Sequence, residues 1–113
     1  MGGSLNTGGG EGMSERALTP ERLRARLREF KERHGAEYRL QALGYFGSYA
    51  RNEATAESDV DIVFETDAPN LFRSSRMRQD LVAWLGRPVD LVQLRGLGNR
   101  RLKARVEREA VYV

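Results

Sequence analysis

The chain has 113 residues, of which 40% are hydrophobic and 31% charged, a balance that suits one folded domain with one modest core. There is no cysteine and one histidine, His34, which excludes disulfides, thiolate metal sites and multi-histidine zinc sites; a metal here would be held by oxygen, as magnesium, manganese or calcium are. The net charge of +3 comes almost wholly from arginine, whose fork suits phosphate, although a solvated surface accounts for most of these arginines. No apolar run approaches the roughly 18 residues of a membrane span. No charged start with an apolar segment behind it suggests a signal peptide, so the chain is expected in the cytoplasm, away from membranes.

Residues 1–12 are half glycine and read as a flexible leader that is not native, ahead of a natural start at Met13. The domain is then 13–113. Thr19-Pro20 predicts a helix start, with Leu23, Leu27 and Phe30 at helical spacing and Gly35 at the end. Residues 38–46 read as a strand, and Gly47-Ser48 as a turn opening a short helix over 48–54. Residues 59–64 form a second strand. A helix over 71–85 follows, stopped by Gly86, with Leu71, Met77, Leu81, Trp84 and Leu85 facing inward. Residues 88–94 predict a third strand, 99–109 a last helix with Leu102 and Val106 inward, and 111–113 a short strand. Alternation of this kind predicts a sheet covered by helices, an α/β (α+β) chain, but does not fix strand directions.

The informative segment is Gly47-Ser48 followed, ten residues later, by Asp59-Val60-Asp61. Positions two apart on a strand share a face, so Asp59 and Asp61 project together while Val60 and Ile62 enter the core. Two carboxylates on one face repel each other and are costly to bury; a divalent cation turns that repulsion into binding. Asp90, in the apolar run PVDLVQL, is a third misplaced carboxylate for a plain strand. Beside the first two it would complete a cluster able to hold two metals about 3.5–4 Å apart, as in-line displacement at phosphorus requires. Gly47 lets the backbone approach an oxygen-rich ligand, Ser48 adds a hydroxyl donor, and a turn that opens a helix presents free amides and the positive end of its dipole to phosphate.

The stretch GSYARNEATAESDVDIVFE resembles the signature of the nucleotidyltransferase superfamily related to DNA polymerase beta. More narrowly it is similar to the minimal nucleotidyltransferase (MNT) proteins, the group that includes MntA-type antitoxins. The resemblance extends through PVDLV and LKARVEREAVYV and covers 13–113. It implies a polymerase beta-like fold, a mixed sheet of about four strands with helices packed against it. By position it implies that Gly47 and Ser48 bind the β- and γ-phosphates. Asp59 and Asp61 would bind two magnesium ions, with manganese an alternative, and Asp90 would be the third ligand and the group that activates the acceptor hydroxyl. Where the family often has glycine after Ala-Arg, this chain has Asn52, which tolerates left-handed geometry. For Arg51 two roles stay open, contact with phosphate or a brace to a carboxylate.

The resemblance further implies transfer of AMP from ATP, or another nucleoside triphosphate, to a tyrosine of a HEPN-domain RNase toxin, within a hetero-oligomer. The length of the chain leaves no room for an acceptor domain, which turns the expectation towards a partner protein. The alternatives are a catalytically silent antitoxin that acts by binding, and a nucleotidyltransferase for a small molecule or RNA. Direct nucleic-acid binding is not expected, because the arginines of the first helix do not share a face and no aromatic stacking cluster accompanies them. His34 is expected at exposed helix-end carbonyls, Trp84, Tyr49 and Tyr112 in packing, and Asp67 and Asp80 on the surface.

Overall fold

The computed structural model describes residues 18–113. The expected leader over 1–12 and the start at Met13 lie outside the described residues. The elements run α1 (Pro20–His34), β1 (Leu40–Phe46), β2 (Val60–Thr66), α2 (Leu71–Leu85), β3 (Val89–Gln93), α3 (Arg100–Glu109) and β4 (Val111–Tyr112).

Local chemistry sets the helix ends. Oxygens of Thr19, Asn70 and Asn99 accept from the amides of Arg22, Arg73 and Leu102 at 3.1, 2.9 and 3.0 Å, so each helix begins where a side chain satisfies an amide that the helix leaves orphaned. Gly86 stops α2 in the left-handed conformation, φ 70. Gly35 caps α1 from the right-handed region instead, and the chain reverses at Arg39, φ 52, whose guanidinium pairs with both oxygens of Asp67. His34 does not cap the helix end as expected. It bonds Glu37 at 3.1 Å and packs among Phe30, Tyr38 and Trp84, because these rings offer more contact than a solvated carbonyl does.

The four strands form one sheet in the order β3-β2-β1-β4. β1 lies antiparallel to both β2 and β4, while β2 and β3 run parallel. The sheet is therefore mixed, as a polymerase beta-like domain implies. Strand alternation separates two faces. Leu43 and Tyr45, then Val60, Ile62 and Phe64, then Val89, point at Leu23, Leu27 and Phe30 of α1 and Met77 and Leu81 of α2. Phe46 and Val63 point the other way, against Val106 of α3. The first core is the larger, and each fully buried leucine in it contributes about 1.5–3 kcal/mol. Trp84 seals α1 to α2: its Nε1 donates to the Arg26 carbonyl at 2.9 Å, and Arg26 donates back to the Trp84 carbonyl at 3.2 Å. Tyr49 is buried in this core as expected, whereas Tyr112 is 44% exposed. Leu71, expected on the inner face of α2, is 87% exposed because it opens the helix beyond the stripe that Met77 and Leu81 bury. Asp67 is on the surface as expected, but Asp80 is half-buried and accepts from the Tyr38 hydroxyl. Among the described residues no helix is long and apolar enough to cross a membrane.

Candidate active site

The C-terminal end of β1 meets the N-terminal ends of β2 and β3 at one end of the sheet. Asp61 is the central residue there. It stands opposite Phe46 on one side and Asp90 on the other. Its neighbours Val60 and Ile62 go into the larger core, so Asp61 projects onto the face that carries α3. Asp90 projects likewise, between Val89 and Leu91. Asp59 lies just before β2 and is exposed, as is Asp90, whereas Asp61 is half-buried. Burial pushes the Asp61 carboxyl above its ordinary value, and Asp90 and then Asp59 push it further; Arg105 and Arg51 work against them. Five charges thus act on one another around a single strand position.

Gly47 occupies the space beside that position. Its φ is 74, in the left-handed region that glycine enters at least cost. A Cβ on Gly47 would overlap Asp61 Oδ2, so the missing side chain is what lets the carboxylate lie against the backbone.

After Gly47 the chain makes one turn and no helix, so the expected short helix over 48–54 is absent. Arg51 N donates to Gly47 O at 3.0 Å and Glu53 N to Ser48 O at 2.8 Å. Asn52 then takes φ 60, which ends helical propagation, while Tyr49 is drawn into the core. The expectation of a helix dipole aimed at phosphate falls with the helix. What remains is a tight turn whose leading amides, from Ser48 to Ala50, donate to no backbone carbonyl among the described residues. The Gly47 amide is differently placed: it donates to Glu109 Oε1 at 3.2 Å. Of the two roles open for Arg51, the structure shows the brace, with Nε on Glu53 and Nη1 on Glu109, both at 3.0 Å.

Three groups at this end were not singled out by sequence reasoning. Glu109 closes α3 and meets Gly47 across 62 positions, a contact with no local signature. Arg105 lies four residues before Glu109 and reaches it at 3.4 Å, and its guanidinium sits 5.8 Å from the centre of the Phe46 ring. That spacing on a helix is a readable signal. Arg87 donates Nη2 to the carbonyls of Ala56 and Ser58, the latter at 2.9 Å, and so stitches the approach to Asp59 onto the approach to β3.

Among the described residues no three acidic or imidazole side chains converge closely enough to form a ready-made metal cage. The donor chemistry nonetheless fits a hard divalent cation. Asp61 and Asp90 are cross-strand neighbours of like charge, half-burial raises the cost of ionising Asp61, and a cation between them would remove both penalties.

Residues 23–113 match the nucleotidyltransferase domain model. The chain belongs to the nucleotidyltransferase family. It is 40% identical over 92 residues to the protein adenylyltransferase MntA of Thermococcus cleftensis, covering 80% of this chain and 88% of that one. It is 35% identical over 88 residues to a candidate protein adenylyltransferase of Methanocaldococcus jannaschii, covering 77% and 90%. A solved structure of a candidate minimal nucleotidyltransferase superposes with a TM-score of 0.69 at 37% identity, over 82% of this chain and 94% of that one. A toxin-antitoxin complex with AMP-PNP superposes at 0.64 and 24% identity, over 74% and 69%, a likeness of fold alone. The nucleotidyltransferase is therefore built around an end of the sheet where a glycine, a turn and two facing aspartates meet.

Proposed function

We propose that this enzyme is a metal-dependent adenylyltransferase that moves AMP from ATP to a tyrosine of a HEPN-domain partner, acting as that toxin's antitoxin in a hetero-oligomer. The observation that carries it is Asp61 held against Gly47 and directly opposite Asp90. The names of relatives at 35–40% identity support AMP as the transferred group and protein as the acceptor.

Asp59, Asp61 and Asp90 would hold divalent cations, two magnesium ions or manganese in their place, which supply charge neutralisation at the reacting phosphate. The Ser48 hydroxyl and the amides that open the turn donate to the β- and γ-phosphate oxygens; the Gly47 amide is already engaged, so these donors begin at Ser48. Gly47 contributes closeness, since nothing projects from its Cα towards Asp61. Arg51, braced by Glu53 and Glu109, stands at the phosphate end of the turn. Asp90 accepts the proton of the acceptor hydroxyl at its carboxylate. The acceptor oxygen then bonds to the α-phosphorus as the bond to the α–β bridging oxygen breaks, and pyrophosphate leaves with that electron pair.

The test is incubation of the protein with α-labelled ATP, magnesium and the product of its neighbouring gene. Label on a tyrosine of a HEPN protein is expected. Binding of that neighbour without label would leave a silent antitoxin. Label on an RNA or a small molecule in place of the protein would move the acceptor class.

A further inference from the structure

Glu109 lies outside the set of aspartates and the turn, yet it touches the site from the opposite side. We infer that Glu109 is a positioning residue that fixes the phosphate-binding turn and keeps two arginines off the metal-binding aspartates. This rests on the nucleotide-binding reading above.

Three donors converge on one oxygen of Glu109: the Gly47 amide at 3.2 Å, Arg51 Nη1 at 3.0 Å and Arg105 Nε at 3.4 Å. The side chain is only 14% exposed. Burial alone would push its carboxyl up, but the Gly47 amide, Arg51 and Arg105 outweigh burial and hold it below its ordinary value. The position follows from the topology. β4 pairs with β1 at Gly44 and Tyr45, and Glu109 lies two positions before β4, with Ala110 between. Its carboxylate therefore takes over where the β1–β4 pairing stops and captures the amide of Gly47.

Gly47 is thereby set between two carboxylates. Its amide is held by Glu109, and its Cα lies against Asp61. Arg51 and Arg105 lie within electrostatic reach of both, since each also acts on Asp61. A guanidinium that is not held elsewhere would pair with Asp61 or Asp90 in a bidentate fork, and an arginine there competes with a divalent cation for the same oxygens. Glu109 opposes that competition by holding Arg105 and, together with Glu53, Arg51. It also anchors the turn from which the Ser48 amide and hydroxyl project.

The test uses the full chain and measures binding of AMP-PNP at fixed magnesium, then the magnesium concentration for half-maximal binding, with a melting curve for each variant. Glu109→Gln keeps an acceptor for the Gly47 amide and drops the charge. It is expected to fold, to weaken AMP-PNP binding about tenfold, as loss of one or two charge-assisted contacts would, and to need more magnesium. Removing Arg51 as well should recover part of the magnesium requirement, because one competitor is gone; a purely structural role for Glu109 would show no such recovery. If Glu109→Gln does not fold, Glu109→Asp, which retains the charge but withdraws it from the three donors, is expected to weaken AMP-PNP binding and raise the magnesium requirement in the same direction, and unchanged values would overturn the role. Wild-type protein that binds, matched by a folded variant with unchanged affinity and magnesium dependence, would overturn the role of Glu109 alone. Wild-type protein that does not bind AMP-PNP with magnesium would overturn the nucleotide reading and this inference with it.

Discussion

Gly47→Ala separates the backbone from the chemistry of the site. Two costs add. An alanine at φ 74 sits in the left-handed region, at about 1–2 kcal/mol relative to glycine. The new methyl also overlaps Asp61 Oδ2, so the carboxylate must rotate away or β1 must give. Moving a half-buried carboxylate out of place adds about 1 kcal/mol, for a total of about 2–3 kcal/mol. In a domain of this size that is a fall in melting temperature of about 10–20 °C, within reach of a urea titration at 25 °C. Transfer should fall further than stability does, by about a hundredfold, because the displaced carboxylate is the one proposed as the central metal ligand. The two costs separate in a double-mutant cycle. In an Asp61→Ala background the overlap disappears, and Gly47→Ala should then cost only its backbone share of about 1–2 kcal/mol. A cost that is the same in both backgrounds would refute the contact between Gly47 and Asp61 as a source of strain. Wild-type transfer by folded Gly47→Ala would refute the need for it.

Asp61→Asn should abolish transfer while leaving the melting temperature equal or higher without metal, since a half-buried carboxylate repelled by Asp90 and Asp59 is lost; a marked fall in melting temperature would show that Asp61 is structural. Arg87→Ala releases the carbonyls of Ala56 and Ser58, so the magnesium requirement should rise several-fold with a stability loss of about 1–2 kcal/mol, and an unchanged requirement would show that Asp59 needs no such support. The Asp67 carboxyl is held below its ordinary value first by its hydrogen bonds to Arg39, so its contribution is present above the unfolded value of 3.8 and fades as pH falls through the folded one. Asp67→Asn should therefore narrow the stability difference between neutral and acidic pH by a small amount, as suits an exposed pair, and a steeper acid limb would contradict the sign.

Much of the fold was legible because its signals are local. Thr19, Asn99 and Gly86 mark helix ends through a single side chain or a single backbone angle, and the alternation VDIVF separates faces without knowledge of any partner. The order β3-β2-β1-β4 was not readable from alternation, since pairing is decided by what covers each face. The helix expected after Gly47 failed for a definite reason: residue propensity favoured it, but burial of Tyr49 and the left-handed Asn52 won. At the site, the aspartates stood out because carboxylates are out of place in apolar strands, and Gly47-Ser48 because it stands ten residues before them in a turn. Glu109 and Arg87 did not, because a charge in a polar stretch carries no anomaly until the chain brings it 62 or 29 positions back.

Parallel pairing of β2 with β3 has a consequence for what sets the dimensions of the site. Asp61 and Asp90 face each other across one strand interval, about 4.8 Å. That interval belongs to the backbone ladder and not to any side chain. A change confined to the outer surface of the helices leaves that ladder, and so the gap between the two carboxylates, in place. The spacing of the two carboxylates is thus a property of the β2–β3 register, and a slip of that register would erase it.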